Sequence, residues 1–261
     1  MTPMEGTYQE LAARWKALRA RAVRVREVAC VNAPRTLLCA ETGDAGLPSV
    51  ALCAGVHGDE PVGPWALLEL VESGALSDRF SYRIWPCMNP SGFDAGTREN
   101  AEGIDVNRTF GRGGQSPEAR AVLTANRDRK FAMSIDLHED CDAAGFYCYE
   151  YGGGAIGVAA IAALDAAGYA IDPLETTFDA AGPLDDARCL RERGRIVADR
   201  VAEGALLGGL SYSLAVVRHA ARVALTFETP SRAPWEVRMA MHRTAVCAVI
   251  GAASGFRDRP A

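Results

Sequence analysis

Three short apolar runs, at residues 49–54, 131–137 and 222–227, constrain this chain more than any other feature. Each has the length of a buried strand rather than of a helix, and Val223, Leu225 and Phe227 alternate along the last. A fourth run, 82–88, ends at Asn89-Pro90-Ser91-Gly92, a composition that predicts a tight reversal. Helix signals lie between and around these runs. The segment opening with Pro61 reads as helix through Val71. Ser116, Pro117 and Glu118 supply an N-cap, a first-turn proline and a first-turn acid for a helix to about Lys130. Further helices are expected over 155–167, closed by Gly168, over the charged stretch 186–203, and from Pro234 to about Ala253. Tyr8, Leu11, Trp15 and Leu18 recur at spacings of three and four, the pattern of an amphipathic helix. Strands alternating with helices predict an α/β fold, with a mostly parallel or mixed central sheet and helices on both faces. One domain over 1–261 is expected, with residues 1–30 forming an N-terminal amphipathic helix that packs on it.

Charge narrows the partners. With 28 Lys+Arg against 33 Asp+Glu and a net charge of -5, the chain lacks the basic excess that nucleic acid or an anionic membrane surface demands. The longest apolar stretch, 155–164, falls far short of the roughly 20 residues of a membrane-spanning helix. The first residues are rich in arginine and carry no apolar run of the signal-peptide kind, so a cytoplasmic location is expected. The 8 cysteines are scattered without a C-x-x-C pair and read as reduced thiols; of these, only Cys141 and Cys148 are close enough in sequence to make a disulfide conceivable. No oligomeric state is assigned from the sequence.

Parallel sheets bind ligands at the carboxyl ends of their strands. His57, His138 and Glu228 each fall just past the end of an expected strand. His57 and Glu60 form an H-x-x-E pattern, whose spacing lets an imidazole and a carboxylate reach one ion. Any histidine and glutamate three apart match it, and a satisfied surface pair is the plain alternative. His138 at a second strand end strengthens the metal reading, because two imidazoles and one carboxylate leave a fourth tetrahedral position for water. The chain has 4 histidines, and His219 and His242 look incidental. Glu139 and Asp140 suggest a second metal only weakly, since alternation along a strand points Glu139 away from His138.

The order of the blocks says more than any of them alone. Val56-His57-Gly58-Asp59-Glu60 is followed by Asn89-Pro90-Ser91-Gly92, then by residues 97–108, which end in Asp105-Val106-Asn107-Arg108. Asp136-Leu137-His138 and Thr226-Phe227-Glu228-Thr229-Pro230 complete the series. This arrangement resembles the zinc carboxypeptidases, above all their short bacterial members, and more distantly the aspartoacylase and succinylglutamate desuccinylase branch. The resemblance implies a zinc carboxypeptidase-like fold and one Zn2+ per chain, held by His57, Glu60 and His138. It implies Glu228 as general base and Arg98 as the stabiliser of the oxyanion, with Asn107 and Arg108 holding the substrate's terminal carboxylate. The family's mobile tyrosine has no clear counterpart: Tyr212 stands at a plausible distance before Glu228, Tyr147, Tyr149 and Tyr151 compete, and packing is the plainer role for Tyr212. The interval from Glu60 to His138 is shorter than in the digestive members, so pocket-shaping loops are missing or rebuilt.

The expected substrate is a peptide or small amide with a free carboxylate. Hydrolysis of an N-acyl amino acid is the rival reaction, and a binding protein that keeps the fold without turnover is a third reading. The segment 139–151, with Asp140, Asp142 and Glu150 among aromatics, is expected to line the site mouth and to favour substrates bearing an amino group.

Overall fold

The computed structural model describes residues 6–18, 23–111, 113–174, 190–198 and 209–253. Its centre is the set of runs singled out above, which form strands β3 (Ser49–Ala54), β4 (Ser81–Trp85), β5 (Phe131–Asp140) and β9 (Ala221–Pro230). Strand β3 is parallel to both β4 and β5, and β5 is parallel to β9. Three further strand groups widen this core: β1 (Arg24–Val28) with β2 (Leu37–Thr42), β6 (Tyr147–Tyr151), and β7 (Leu190–Glu192) with β8 (Arg195–Ala198). Among the described residues the result is a mixed nine-stranded sheet of order β1-β2-β4-β3-β5-β9-β6-β8-β7.

Helices cover both faces. Helices α1 (Tyr8–Ala17), α2 (Val62–Glu72), α5 (Gly157–Ala166) and α7 (Trp235–Ala252) lie on one side. There Leu11, Trp15, Leu68 and Val246 meet Leu52, Leu137 and Phe227 of the sheet. Helices α4 (Pro117–Asn126) and α6 (Tyr212–His219) cover the other, over Ala51, Cys53 and Ala224. The α1 stripe is core, as its spacing suggests, and Thr7 caps that helix in a reciprocal pair with Glu10.

Four local readings change. Residues 190–198, expected as part of a charged helix over 186–203, form the β7–β8 hairpin; 186–189 and 199–203 lie outside the described residues. Gly194 takes φ 74°, the left-handed region that favours glycine, and Arg195 is drawn inward to pair with buried Glu150. Asn89 starts a helix instead of a plain reversal, its side chain accepting from Gly92 N at the head of α3 (Pro90–Ala95). Strands β5 and β9 run on through Asp140 and Pro230, so His138 and Glu228 lie within strands, not beyond them. Strands β2 and β6 were not signalled by the runs, and of residues 1–30, expected as one helix, only Tyr8–Ala17 is helical while Arg24–Val28 forms β1. No helix of the described residues is long and apolar enough to cross a membrane.

Candidate metal centre

Strand β3 stops at Ala54 and the chain turns through Gly55 to deliver His57 and, just ahead of α2, Glu60. The turn lies hard against α3: a Cβ on Gly58 would stand 1.9 Å from the Gly92 carbonyl carbon. From the adjacent strand β5, His138 points into the same space. Glu60 lies between the two rings, with Oε1 2.6 Å from His57 Nδ1 and Oε2 2.8 Å from His138 Nδ1. One donor atom from each of the three lies within 4.8 Å of the others, and all three residues are buried. The Glu139 backbone N–H holds Glu60 Oε2 from the sheet side at 3.1 Å.

Behind each imidazole stands a carboxylate. His138 Nε2 lies 3.1 Å from Asp136 Oδ2, and His57 Nε2 lies 3.4 Å from Asp105 Oδ1. At His138 the hydrogen bond keeps the proton on the far nitrogen and leaves Nδ1 with its lone pair, the form that binds a metal, whereas His57 Nε2 stands near Asp105 without hydrogen-bonding geometry. Two Nδ1 atoms and a carboxylate therefore fit one divalent ion, and zinc suits that donor set. Neither aspartate was singled out from the sequence; alternation along β5 alone puts Asp136 on the face of His138.

Electrostatics in the metal-free form follow the geometry. Burial works against the charge on each histidine, but Glu60 raises His57, and Glu60 with Asp136 raises His138 well above its ordinary value. Burial likewise disfavours the Glu60 charge, yet the two imidazoles hold its carboxyl far below the usual range. Asp105 is also depressed despite burial, by His57, Arg98 and Arg108.

Glu228 is the register partner of His138 on the adjacent parallel strand, so both side chains share one face. It is half-buried. Burial pushes its carboxyl well up, with His138 opposing and Glu60, Asp140 and Asp136 adding to the rise. Arg98, half-exposed, reaches inward: it pairs with Asp105 at 3.0 Å and stands 3.3 Å from His57 Nδ1 and 3.8 Å from Glu60 Oε1. Arg108 is half-buried and donates to the Asn107 carbonyl. Asn107 is buried, and its side-chain oxygen accepts from Tyr212 N at 3.0 Å, which leaves its amide N–H groups for a ligand.

Tyr212, named from the sequence as a substrate contact, is 1% exposed and packs edge-on against Phe110 in the core. The packing alternative is the one its burial supports. Of the competing tyrosines, Tyr147 lies opposite Glu228 on β6 and donates to Asp140 Oδ2 at 2.8 Å. The acidic mouth is mostly absent. Glu139 turns to the opposite face, accepting from Val62 N and pairing with Arg238, and Glu150 is buried against Arg195. Only Asp140 and Asp142 remain toward solvent, and Asp140 is held by Tyr147. His242 is buried at Thr229 Oγ1 and is not one of the three clustered donors.

Comparison with known proteins agrees with this arrangement. Residues 46–152 match the model of the succinylglutamate desuccinylase/aspartoacylase catalytic domain. Carboxypeptidase SOL1 of Arabidopsis thaliana is 32% identical over 111 residues, covering 35% of this chain and 23% of that protein. Over that part of its length this chain resembles the carboxypeptidases. Mouse carboxypeptidase M is 31% identical over 119 residues, and the chain spans 27% of its length, about the same share as of the plant relative. Among solved structures, a candidate metallopeptidase from Shewanella amazonensis superposes with a TM-score of 0.73 at 24% identity, covering 94% of this chain and 92% of that one. A metallo-carboxypeptidase from Burkholderia cenocepacia gives 0.69 at 21% identity, over 97% and 70% of the two chains. The fold of these solved structures thus extends over nearly all of this chain, while the matched domain, residues 46–152, contains His57, Glu60 and His138.

Proposed function

We propose that the protein is a zinc-dependent metallocarboxypeptidase that removes a C-terminal residue from a peptide or small amide, acting in the cytoplasm with one zinc per chain. The observation that carries this is the placing of Glu228 in register beside His138, on the same face as a buried His57–Glu60–His138 cluster. The chemistry a bound zinc supplies here is a water of lowered pKa and polarisation of the scissile carbonyl. Glu228 takes the proton of the attacking water on its carboxylate and passes it to the leaving amine. Arg98 offers a preorganised cation where charge develops on the carbonyl oxygen. Arg108, with the free amide of Asn107, holds the substrate's terminal carboxylate, for which a guanidinium fork is the matching donor.

The second reading, hydrolysis of an N-acyl amino acid, uses the same groups. It is favoured by the match to the succinylglutamate desuccinylase/aspartoacylase domain, which spans both the metal ligands and the two arginines. One experiment separates them. Zinc-loaded protein is incubated with a peptide panel, its C-terminally amidated counterparts and a panel of N-acyl amino acids, and products are identified by mass. Release of single C-terminal residues from free-acid peptides alone is expected. Equal cleavage of the amidated peptides would remove the carboxypeptidase reading, and turnover confined to N-acyl amino acids would install the second.

A further inference from the structure

The face of the sheet that carries the metal ligands continues beneath them. Ser134, Asp136 and His138 alternate onto it along β5, and Cys53 of β3 stands beside Asp136 in register. Tyr212, the first residue of α6, packs onto this patch, its hydroxyl facing the Cys53 thiol and the Ser134 hydroxyl in the field of Asp136. Among the described residues, Ser134 Oγ, Tyr212 Oη and Asp136 Oδ1 are buried with no partner of hydrogen-bonding geometry. The other oxygen of Asp136 is the one that backs His138. Two hydroxyl donors and one carboxylate acceptor form a complementary set, and leaving it unsatisfied in the interior is costly. Three polar groups are also the usual complement of a buried water.

We propose that Tyr212 and Ser134 are positioning residues of the metal centre, holding Asp136 through one shared buried water and, through Asp136, fixing the His138 ring for metal binding. This rests on the zinc reading above. The same helix start also reaches toward the other ligand: Tyr212 N is held by Asn107 Oδ1, Asn107 N by Asp105 Oδ1, and Asp105 Oδ1 lies 3.4 Å from His57 Nε2. Ser213 bonds Thr226 at 2.8 Å on the strand of Glu228. The first turn of α6 is therefore tied to the carboxylates beside both histidines, which a residue serving only to fill space has no reason to be.

Zinc affinity, read by competition with a chromophoric chelator, tests the proposal. Tyr212→Phe keeps the ring and removes only the hydroxyl; it should weaken binding about 10- to 100-fold, the usual loss when a support behind a ligand is removed. Ser134→Ala should weaken it in the same direction. Combined with Asp136→Asn, Tyr212→Phe should add little, because both act along one path. Tyr82→Phe, which loses only a bond to the Ser77 carbonyl, should bind zinc as the wild type does. Unchanged affinity in Tyr212→Phe, or losses fully additive with Asp136→Asn, overturns the proposal while leaving the zinc reading intact. A wild-type protein that binds no zinc overturns both. Should Tyr212→Phe not fold, Ser134→Ala and its double variant with Asp136→Asn carry the same comparison.

Discussion

Glu228 is surrounded by acids, and in the metal-free form its carboxyl is pushed toward protonation by burial and by Glu60, Asp140 and Asp136. A divalent cation at the three donors reverses that local balance and favours the carboxylate, the form a general base requires. Glu228→Gln keeps the size and hydrogen-bonding capacity but cannot accept a proton. Turnover should fall by roughly 10²- to 10⁴-fold, the usual contribution of a positioned proton acceptor, with zinc content unchanged. Kinetics paired with metal analysis check this, and a variant with full zinc and near-normal turnover would retire Glu228 as the base. Arg232 is no rival explanation for the carboxylate, since its recorded partner is Asp142.

At the scale of elements, the turn between β3 and α2 is the sharpest constraint. Gly58 has no room for a methyl group against Gly92, so Gly58→Ala forces the turn or α3 to move. Overpacking of this kind costs about 1–3 kcal/mol. Because His57 and Glu60 flank the glycine, zinc affinity should drop along with the unfolding midpoint, whereas a distant surface change of equal cost would lower only the midpoint. Unchanged zinc binding in a destabilised Gly58→Ala protein would show that the turn is not what positions the ligands. The elements also explain what the sequence made legible. β3, β5 and β9 are buried on both faces and read as apolar runs, so their end residues could be read as a site. β6 could not be found this way, because it contains the buried Glu150, held by Arg195 and by the N–H groups of Ile156 and Gly157. The β7–β8 hairpin was hidden for the same reason: its charges resemble a solvated helix until Arg195 is seen paired inside. Tyr212 shares the face of the ligands but lies 1% exposed beneath them, a depth that distance along the chain cannot show.

For the molecule as a whole, the metal centre sets how stability follows pH. Without metal, His57 and His138 titrate above their unfolded value of about 6.5 because Glu60 holds the protonated rings. That contribution is complete below the unfolded value and is lost as pH rises through the raised folded values. With zinc the sign changes, since the metal requires neutral imidazoles and binds more tightly as protons leave. Unfolding midpoints measured in chelator should therefore fall from pH 6 to pH 9, and the gap between zinc-loaded and chelated protein should widen over the same range. Parallel curves with and without zinc would separate these histidines from the metal. The placing of His138 and Glu228 as neighbours in the sheet has a consequence for heritable change. Their spacing is fixed by strand register, whereas Arg98, Asn107 and Arg108 ride on connecting segments that accept insertions and replacements. A replacement on those segments would therefore alter the proposed substrate contacts while leaving the spacing of His138 and Glu228 untouched.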